Sequence, residues 1–268
     1  MMRIFRIQQD WKREAAQIRR QAPDCSHAPH IIDYEVTAIA PDGSVQFVLL
    51  KDRAPAGERQ RAFTLLNTAD DDLSNRGSVV GVRMIPSFTH EGKLGRRNRV
   101  PSEALAIENG RQGMLGYRIG RDGKCCKTPL YKKHPALLDQ NRPLIELADA
   151  LYAETLRKIH TRQWSMVASK PCCRLWNTPF SNAYVICDKA AHYHTDRGNL
   201  PGVVTVLMPM GNFTGGEIVF PRWRVGVAFK PGDVLLFNPG QMHGILPFEG
   251  DRLSVALYLA RRIADCGR

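Results

Sequence analysis

The sequence predicts a mainly β protein with flanking helices (α+β), its core a jelly roll (double-stranded β-helix, cupin-like). Three observations predict it. Apolar runs of strand length recur through the last third of the chain, turn residues such as Pro-Gly and Gly-Asp separate them, and one amphipathic helix precedes them. Strands recurring every ~8 to 12 residues with such punctuation close into a sandwich or barrel, here of about seven or eight strands.

At 268 residues, with 43% hydrophobic and 24% charged side chains, the chain suits one large domain or two small ones. Its 22 glycines and 17 prolines are too few for collagen-like or low-complexity sequence. The longest apolar runs, 203–208 and 255–260, fall far short of the ~20 residues that cross a bilayer. Arg3 and Arg6 interrupt the first apolar stretch, so neither a membrane span nor a secretory signal is expected. Seven cysteines, with vicinal pairs at Cys125-Cys126 and Cys172-Cys173 and no CxxC, suit a reducing intracellular compartment, nuclear or cytoplasmic according to source. A zinc site is not favoured, because structural zinc uses CxxC-type spacing.

Along the chain, the first twenty residues end in Gln17-Ile18-Arg19-Arg20 and read as a short basic helix or arm, broken by Pro23 and Pro29. Residues 31–50 hold two strand-like runs around Pro41-Asp42-Gly43, which is hairpin chemistry. Residues 51–77 are polar, 78–85 read as a strand, and 86–135 read as a long basic, irregular stretch. At 141–160, Leu144, Ile145, Leu147, Ala148, Leu151, Tyr152, Leu156 and Ile159 fall at helical spacing behind Pro143, which suits a first turn. Strands follow at 183–187, 203–208, 217–220, 224–229, 233–237, 242–246 and 253–259. The expected division is a basic, irregular N-terminal region, 1–109, packing on a domain at 110–268 whose jelly-roll core spans about 174–262.

Lys and Arg number 38 against 26 acids, a net charge of +12, and 29 of the bases with 19 of the acids lie in 1–180. Basic clusters occur at Lys93, Arg96, Arg97 and Arg99, and at Arg118, Arg121 and Lys124, running on to Lys127, Lys132 and Lys133. Such a field suits a polyanion such as nucleic acid, whose phosphates bind with counterion release and no sequence readout. A well-solvated surface without a partner is the plainer alternative.

The chemistry concentrates in the strand series. In an extended segment residues two apart point the same way, so His194 and Asp196 can grip one metal ion. His243, 47 residues beyond Asp196 and past Pro231-Gly232-Asp233, supplies a third ligand. Two imidazoles and a carboxylate on one face, with the other positions open, form the facial triad of non-haem Fe(II) oxygenases. A lone HxD arises often by chance, and it is the order of the set that carries the reading. Arg252 sits nine residues later in a strand otherwise made of Leu253, Val255, Leu257 and Leu259, where an unpaired guanidinium is costly. It needs an anion. Either Glu249 or Asp251 supplies one, or Arg252 grips a ligand carboxylate bidentately while Ser254 donates from the same face. The distal carboxylate of 2-oxoglutarate, chelating iron through its keto acid end, fits that place.

At these residues the sequence resembles the 2-oxoglutarate- and Fe(II)-dependent dioxygenases, and among them the TET/JBP branch that oxidises the methyl group of a pyrimidine in DNA. Ala191-His192-Tyr193-His194-Thr195-Asp196-Arg197-Gly198-Asn199 is similar to the branch's AHxHxD segment with an Asn three residues after the aspartate. Arg252-Leu253-Ser254 is followed by Tyr258, six positions after the arginine. The resemblance covers 170–262 well and 110–165 loosely, and leaves 1–109 unplaced. It implies Fe(II) at His194, Asp196 and His243, with His192 a neighbour rather than a ligand. It implies 2-oxoglutarate at Arg252 and Ser254 with Lys189 at its other end, O2 as cosubstrate, base hydrogen bonding by Asn199, and stacking of the extruded base on Tyr258. The basic clusters would hold phosphates of duplex DNA, positioning without specifying. The implied reaction hydroxylates the methyl of a flipped base, 5-methylcytosine first, while 2-oxoglutarate is decarboxylated to succinate and CO2.

One departure bears on the base. Where cytosine-oxidising members carry a base-reading histidine two positions after the stacking residue, this chain has Ala260, so thymine and N6-methyladenine stay open beside 5-methylcytosine. Two further readings stand alongside: hydroxylation of a protein side chain such as proline on the same fold, and a non-enzymatic DNA-binding jelly-roll module.

Overall fold

The computed structural model describes residues 2–68, 82–85, 98–101, 111–188 and 190–265. Nine strands form a major sheet: β1 (Arg3–Arg6), β3 (Val36–Ile39), β4 (Val45–Leu50), β7 (Arg111–Ile119), β8 (Cys125–Lys127), β9 (Asn182–Cys187), β11 (Thr205–Gly215), β14 (Val234–Phe237) and β16 (Phe248–Tyr258). Their order is β1-β3-β4-β14-β11-β16-β9-β7-β8. Five strands form a minor sheet: β2 (His30–Ile32), β10 (Ala191–His194), β12 (Ile218–Phe220), β13 (Val225–Val227) and β15 (His243–Ile245), in the order β10-β15-β12-β13-β2. β5 (Val82–Ile85) and β6 (Asn98–Pro101) pair separately.

The major sheet is buried on both faces, which is why β14 and the Phe47–Leu50 part of β4 read as unbroken apolar runs rather than alternating ones. On its outer face Val185, Val206, Val255 and Leu257 pack with Leu138 of α4 (Pro135–Gln140) and Leu144, Ile145 and Ala148 of α5 (Arg142–Thr155). On its inner face Phe47, Leu49, Leu207, Leu235 and Phe237 pack against Ile218, Phe220, Val225 and Val227 of the minor sheet. Truncating any of these leucines to alanine costs about 2 to 5 kcal/mol. The double-stranded β-helix thus has its interior between the sheets.

Antiparallel register carries the inner face from strand to strand. Ser254 opposes Pro209 on one side and Ile186 on the other, and Ile186 opposes Gln112. The next row runs Leu207, Ala256, Tyr184, Met114, and the one after it Tyr258, Asn182, Gly116. Gly116 is required there: its φ is +113°, and a Cβ would run into the Ser181 carbonyl.

Several sequence expectations are corrected. The first twenty residues do hold a short helix, α1 (Lys12–Gln17), but a strand precedes it, β1, paired parallel with β3. The polar stretch 51–77 contains α2 (Ala56–Asn67), which buries Ala62 and Leu66 and is otherwise polar enough to hide its periodicity. Within 86–135, β7 and β8 form a hairpin, and Thr128 caps α3 (Pro129–Lys133), so this part is not irregular. Its glycines and flanking charges mask the strand pattern. The single helix expected at 141–160 is two, α5 and α6 (Arg157–Ser165), divided at Leu156. Asp149 and His160, 2.7 Å apart, tie them together. Cys125 is paired with Cys173, joining β8 to the short turn Pro171–Cys173.

Candidate active site

The minor sheet presents two histidines as a cross-strand pair. His194, the last residue of β10, lies directly opposite His243, the first of β15, in antiparallel register. Each ring bonds through Nδ1 to the backbone carbonyl two residues upstream, His194 to His192 at 2.7 Å and His243 to Gln241 at 3.1 Å. A carbonyl only accepts, so Nδ1 carries the proton and the Nε2 lone pair is left for a metal. Asp196, just past the strand end, is anchored by its N–H to the Pro239 carbonyl at 3.0 Å. Its Oδ1 lies 3.4 Å from His194 Nε2 and 3.9 Å from His243 Nε2. The three ligand atoms fall within 4.8 Å of one another, a spacing and donor set that fit one ferrous ion.

Protonation suits that role. Burial pushes the His243 imidazolium down to about 4, helped by His194 and opposed by the Asp196 charge, so the ring stays neutral. Burial alone would raise the Asp196 carboxyl, but His243 and His194 together hold it below its ordinary value. Neutral imidazole and ionised carboxylate are the forms a divalent cation needs. Asn199 supports the carboxylate, its Nδ2 donating to Asp196 Oδ2 at 3.3 Å and to Thr205 Oγ1 at 3.0 Å.

The turn before His243 is held from the N-terminal hairpin. The Gln46 carbonyl on β4 accepts from Gln241 Nε2 at 2.9 Å, while Gln241 Oε1 accepts from Trp223 Nε1 at 2.6 Å. Gln241 is therefore fixed at both ends, and its own carbonyl orients His243.

Arg252 lies on the inner face of β16 and is 4% exposed. Its guanidinium stands over the rings of Phe213, Phe229 and Phe248, 4.8 to 5.1 Å from their centroids. Nη1 donates to the Gly216 carbonyl at 2.7 Å and Nε to Ser254 Oγ at 3.4 Å. No carboxylate lies within ion-pair distance among the described residues, so neither Glu249 nor Asp251, both exposed, neutralises it. Burial lowers the guanidinium to about 10 against the pull of Glu217. A buried cation whose Nη2 has no protein partner among the described residues is built to take an anion, and the carboxylate of a small dicarboxylic acid fits it. Gly216, with φ +73°, lets its backbone come against the guanidinium where a Cβ would collide.

Tyr258 and Tyr184 complete the wall facing the triad. Burial raises both phenols, Tyr184 up to about 12, and the Asp196 charge adds to each. Tyr258 Oη meets Met114 Sδ at 3.1 Å. The phenylalanine cage and Gly216 are not marked by any motif; alternation along β11 and β16 is the signal that could have found them. Arg118, Arg121 and Lys124 are exposed on the β7–β8 hairpin. Lys93, Arg96, Arg97 and Lys189 lie outside the described residues, and Arg99 is described only as backbone in β6.

Residues 114–261 match the family described as the oxygenase domain of the 2OGFeDO superfamily, Tet_JBP. The chain is 31% identical over 196 residues to the bifunctional helicase and thymine dioxygenase JBP2 of Leishmania infantum, covering 72% of this chain and 17% of that one. It is 23% identical over 213 residues to the thymine dioxygenase JBP1 of the same organism, covering 71% of this chain and 26% of that one. It therefore spans a small part of the curated relatives it matches. The structure of NgTET1 in complex with 5mC DNA superposes with a TM-score of 0.63 at 14% identity, over 98% of this chain and 84% of that one, and shares the fold. With the matched segment covering more than half the chain and enclosing all three candidate ligands, the chain belongs to the Tet_JBP family of 2-oxoglutarate- and Fe(II)-dependent dioxygenases.

Proposed function

We propose that this chain hydroxylates the methyl group of a pyrimidine base extruded from DNA, with Fe(II) and 2-oxoglutarate as cofactor and cosubstrate and O2 as oxidant. The observation that carries the reading is the convergence of His194, Asp196 and His243 on the same interior as a buried Arg252 that has no carboxylate partner among the described residues. When bound, iron and 2-oxoglutarate supply an oxidant able to attack a methyl C–H, with the acid leaving as succinate and CO2. The chain's own residues do the rest. His194, Asp196 and His243 hold the metal; Arg252 and Ser254 hold the distal carboxylate; Lys189 is proposed at the other end of the acid. Tyr258 offers a ring face to the base, and Asn199, which bonds to Asp196, couples the base pocket to the metal carboxylate. The aromatic walls exclude water from the reacting face.

DNA is the favoured polymer because its phosphates suit the basic front of the chain, with Arg118, Arg121 and Lys124 on one hairpin. Of the two pyrimidine methyls, thymine is favoured over 5-methylcytosine: the sequence relatives are named thymine dioxygenases, and Ala260 stands where a cytosine-reading histidine would be. The test is nucleoside mass spectrometry after incubation with Fe(II), 2-oxoglutarate and duplexes containing thymine, 5-methylcytosine or N6-methyladenine. Hydroxymethyluracil with matching succinate is expected. Succinate coupled only to a hydroxylated peptide would move the reading to a protein hydroxylase, and no succinate at all would leave a binding module.

A further inference from the structure

Gln112 is 4% exposed, and its Nε2 is buried with no hydrogen-bond partner among the described residues. A buried amide donor left unmade is costly, so a native chain keeps one only where something else completes it. Its place says what. Gln112 on β7 opposes Ile186 on β9, which opposes Ser254 on β16, and residues directly opposite share a face. Gln112 is therefore on the inner face, with Tyr184 and Tyr258. Two residues along the same face is Met114, whose sulfur contacts the Tyr258 hydroxyl. Ser254 shares the row of Gln112 but lies two strands away, roughly 10 Å at the usual interstrand spacing, with Ile186 between, whereas the Tyr258 side chain reaches across the sheet to Met114, the next residue on Gln112's own face.

We propose that Gln112 is a specificity-determining residue that hydrogen-bonds the edge of the extruded pyrimidine stacked on Tyr258. This rests on the DNA-base reading above. A carboxamide both donates and accepts, and the edge of a flipped pyrimidine offers carbonyl acceptors together with an N–H or amino donor. A site whose polar group is satisfied only by the correct base rejects the analogue that leaves it unpaired.

The experiment compares wild type with Gln112→Leu, Gln112→Glu and Gln112→Asn on thymine and 5-methylcytosine duplexes, by nucleoside mass spectrometry and by the KM for 2-oxoglutarate. Gln112→Leu is expected to lower kcat/KM for the base at least tenfold while the KM for 2-oxoglutarate moves less than twofold. Gln112→Glu, which keeps the shape but cannot donate when ionised, is expected to change the ratio between the two bases at least tenfold, and Gln112→Asn to restore part of the loss. An equal or larger rise in the KM for 2-oxoglutarate would make Gln112 a cosubstrate contact and overturn the proposal. So would an unchanged base ratio in Gln112→Glu. If wild type releases succinate but oxidises neither base, the DNA reading itself fails, and the proposal falls with it.

Discussion

His194 and His243 face each other across two antiparallel strands with ring centroids 4.3 Å apart, so a single cross-strand pair of the minor sheet sets two of the three candidate ligands. Metal affinity then depends on backbone pairing as much as on the side chains. His243→Ala is expected to leave the purified protein with little bound iron and to lower turnover by more than about a hundredfold, since even losing an outer hydrogen bond to a ligand costs about 10- to 100-fold. Iron content by elemental analysis beside succinate release checks it, and full iron retention would contradict it.

Asn199 separates two roles cleanly. As the donor to Asp196 Oδ2, Asn199→Ala is expected to weaken iron about 10- to 100-fold. As a base reader, it would instead raise the KM for DNA at unchanged iron affinity. Iron titration and DNA kinetics on the same variant distinguish these outcomes.

The neutral, buried His243 makes the metal-free protein acid-sensitive. Its imidazole titrates near 4 when folded and near 6.5 when unfolded, so the unfolded chain binds the extra proton first as pH falls. Stability is full above about 6.5 and declines between there and 4, by about 3 kcal/mol from this group. Asp196, held low in the fold, pushes in the same direction at lower pH. Urea midpoints of the metal-free protein from pH 7.5 to 4.5 measure it, and His243→Phe, which cannot titrate, should flatten the profile.

Arg252→Met is expected to raise the KM for 2-oxoglutarate about 10- to 100-fold and that for DNA little, because the lost contacts are charge-assisted ones to the acid. Gly216→Ala should act in the same sense, by pressing a methyl group against the guanidinium and straining a residue at φ +73°. Equal effects on both KM values would mean that Arg252 serves another purpose.

Replacing Arg118, Arg121 and Lys124 together by alanine is expected to lower the slope of log affinity against log salt by about 3 for duplex DNA, if each neutralises one phosphate. Binding isotherms between 50 and 300 mM salt would show it, and an unchanged slope would place the phosphates elsewhere.

The candidate metal ligands were more legible in the sequence than the architecture around them. His194, Asp196, His243 and Arg252 were legible because their order and spacing lie within strands punctuated by turns, and local pattern suffices for that. β10 is hard to see in the sequence, although it carries His194, because it is only four residues long and buries a single side chain, Tyr193. α2 was missed because only Ala62 and Leu66 are buried on it. β7 was missed because its partner, β9, lies some seventy residues away and its glycines serve close packing rather than propensity. The phenylalanines around Arg252 come from three separated positions and meet only in the fold.

The clasp from the Gln46 carbonyl through Gln241 to His243 has a practical consequence for how small a working fragment can be made. A piece trimmed to the matched span, 114–261, keeps every ligand yet discards the β4 rung that steadies one of them. Such a fragment should capture iron loosely and lose it on dialysis, whereas one beginning ahead of β3 should not. Residues with no chemistry of their own, more than a hundred and ninety positions upstream, are thus expected to set how firmly a bound metal is kept.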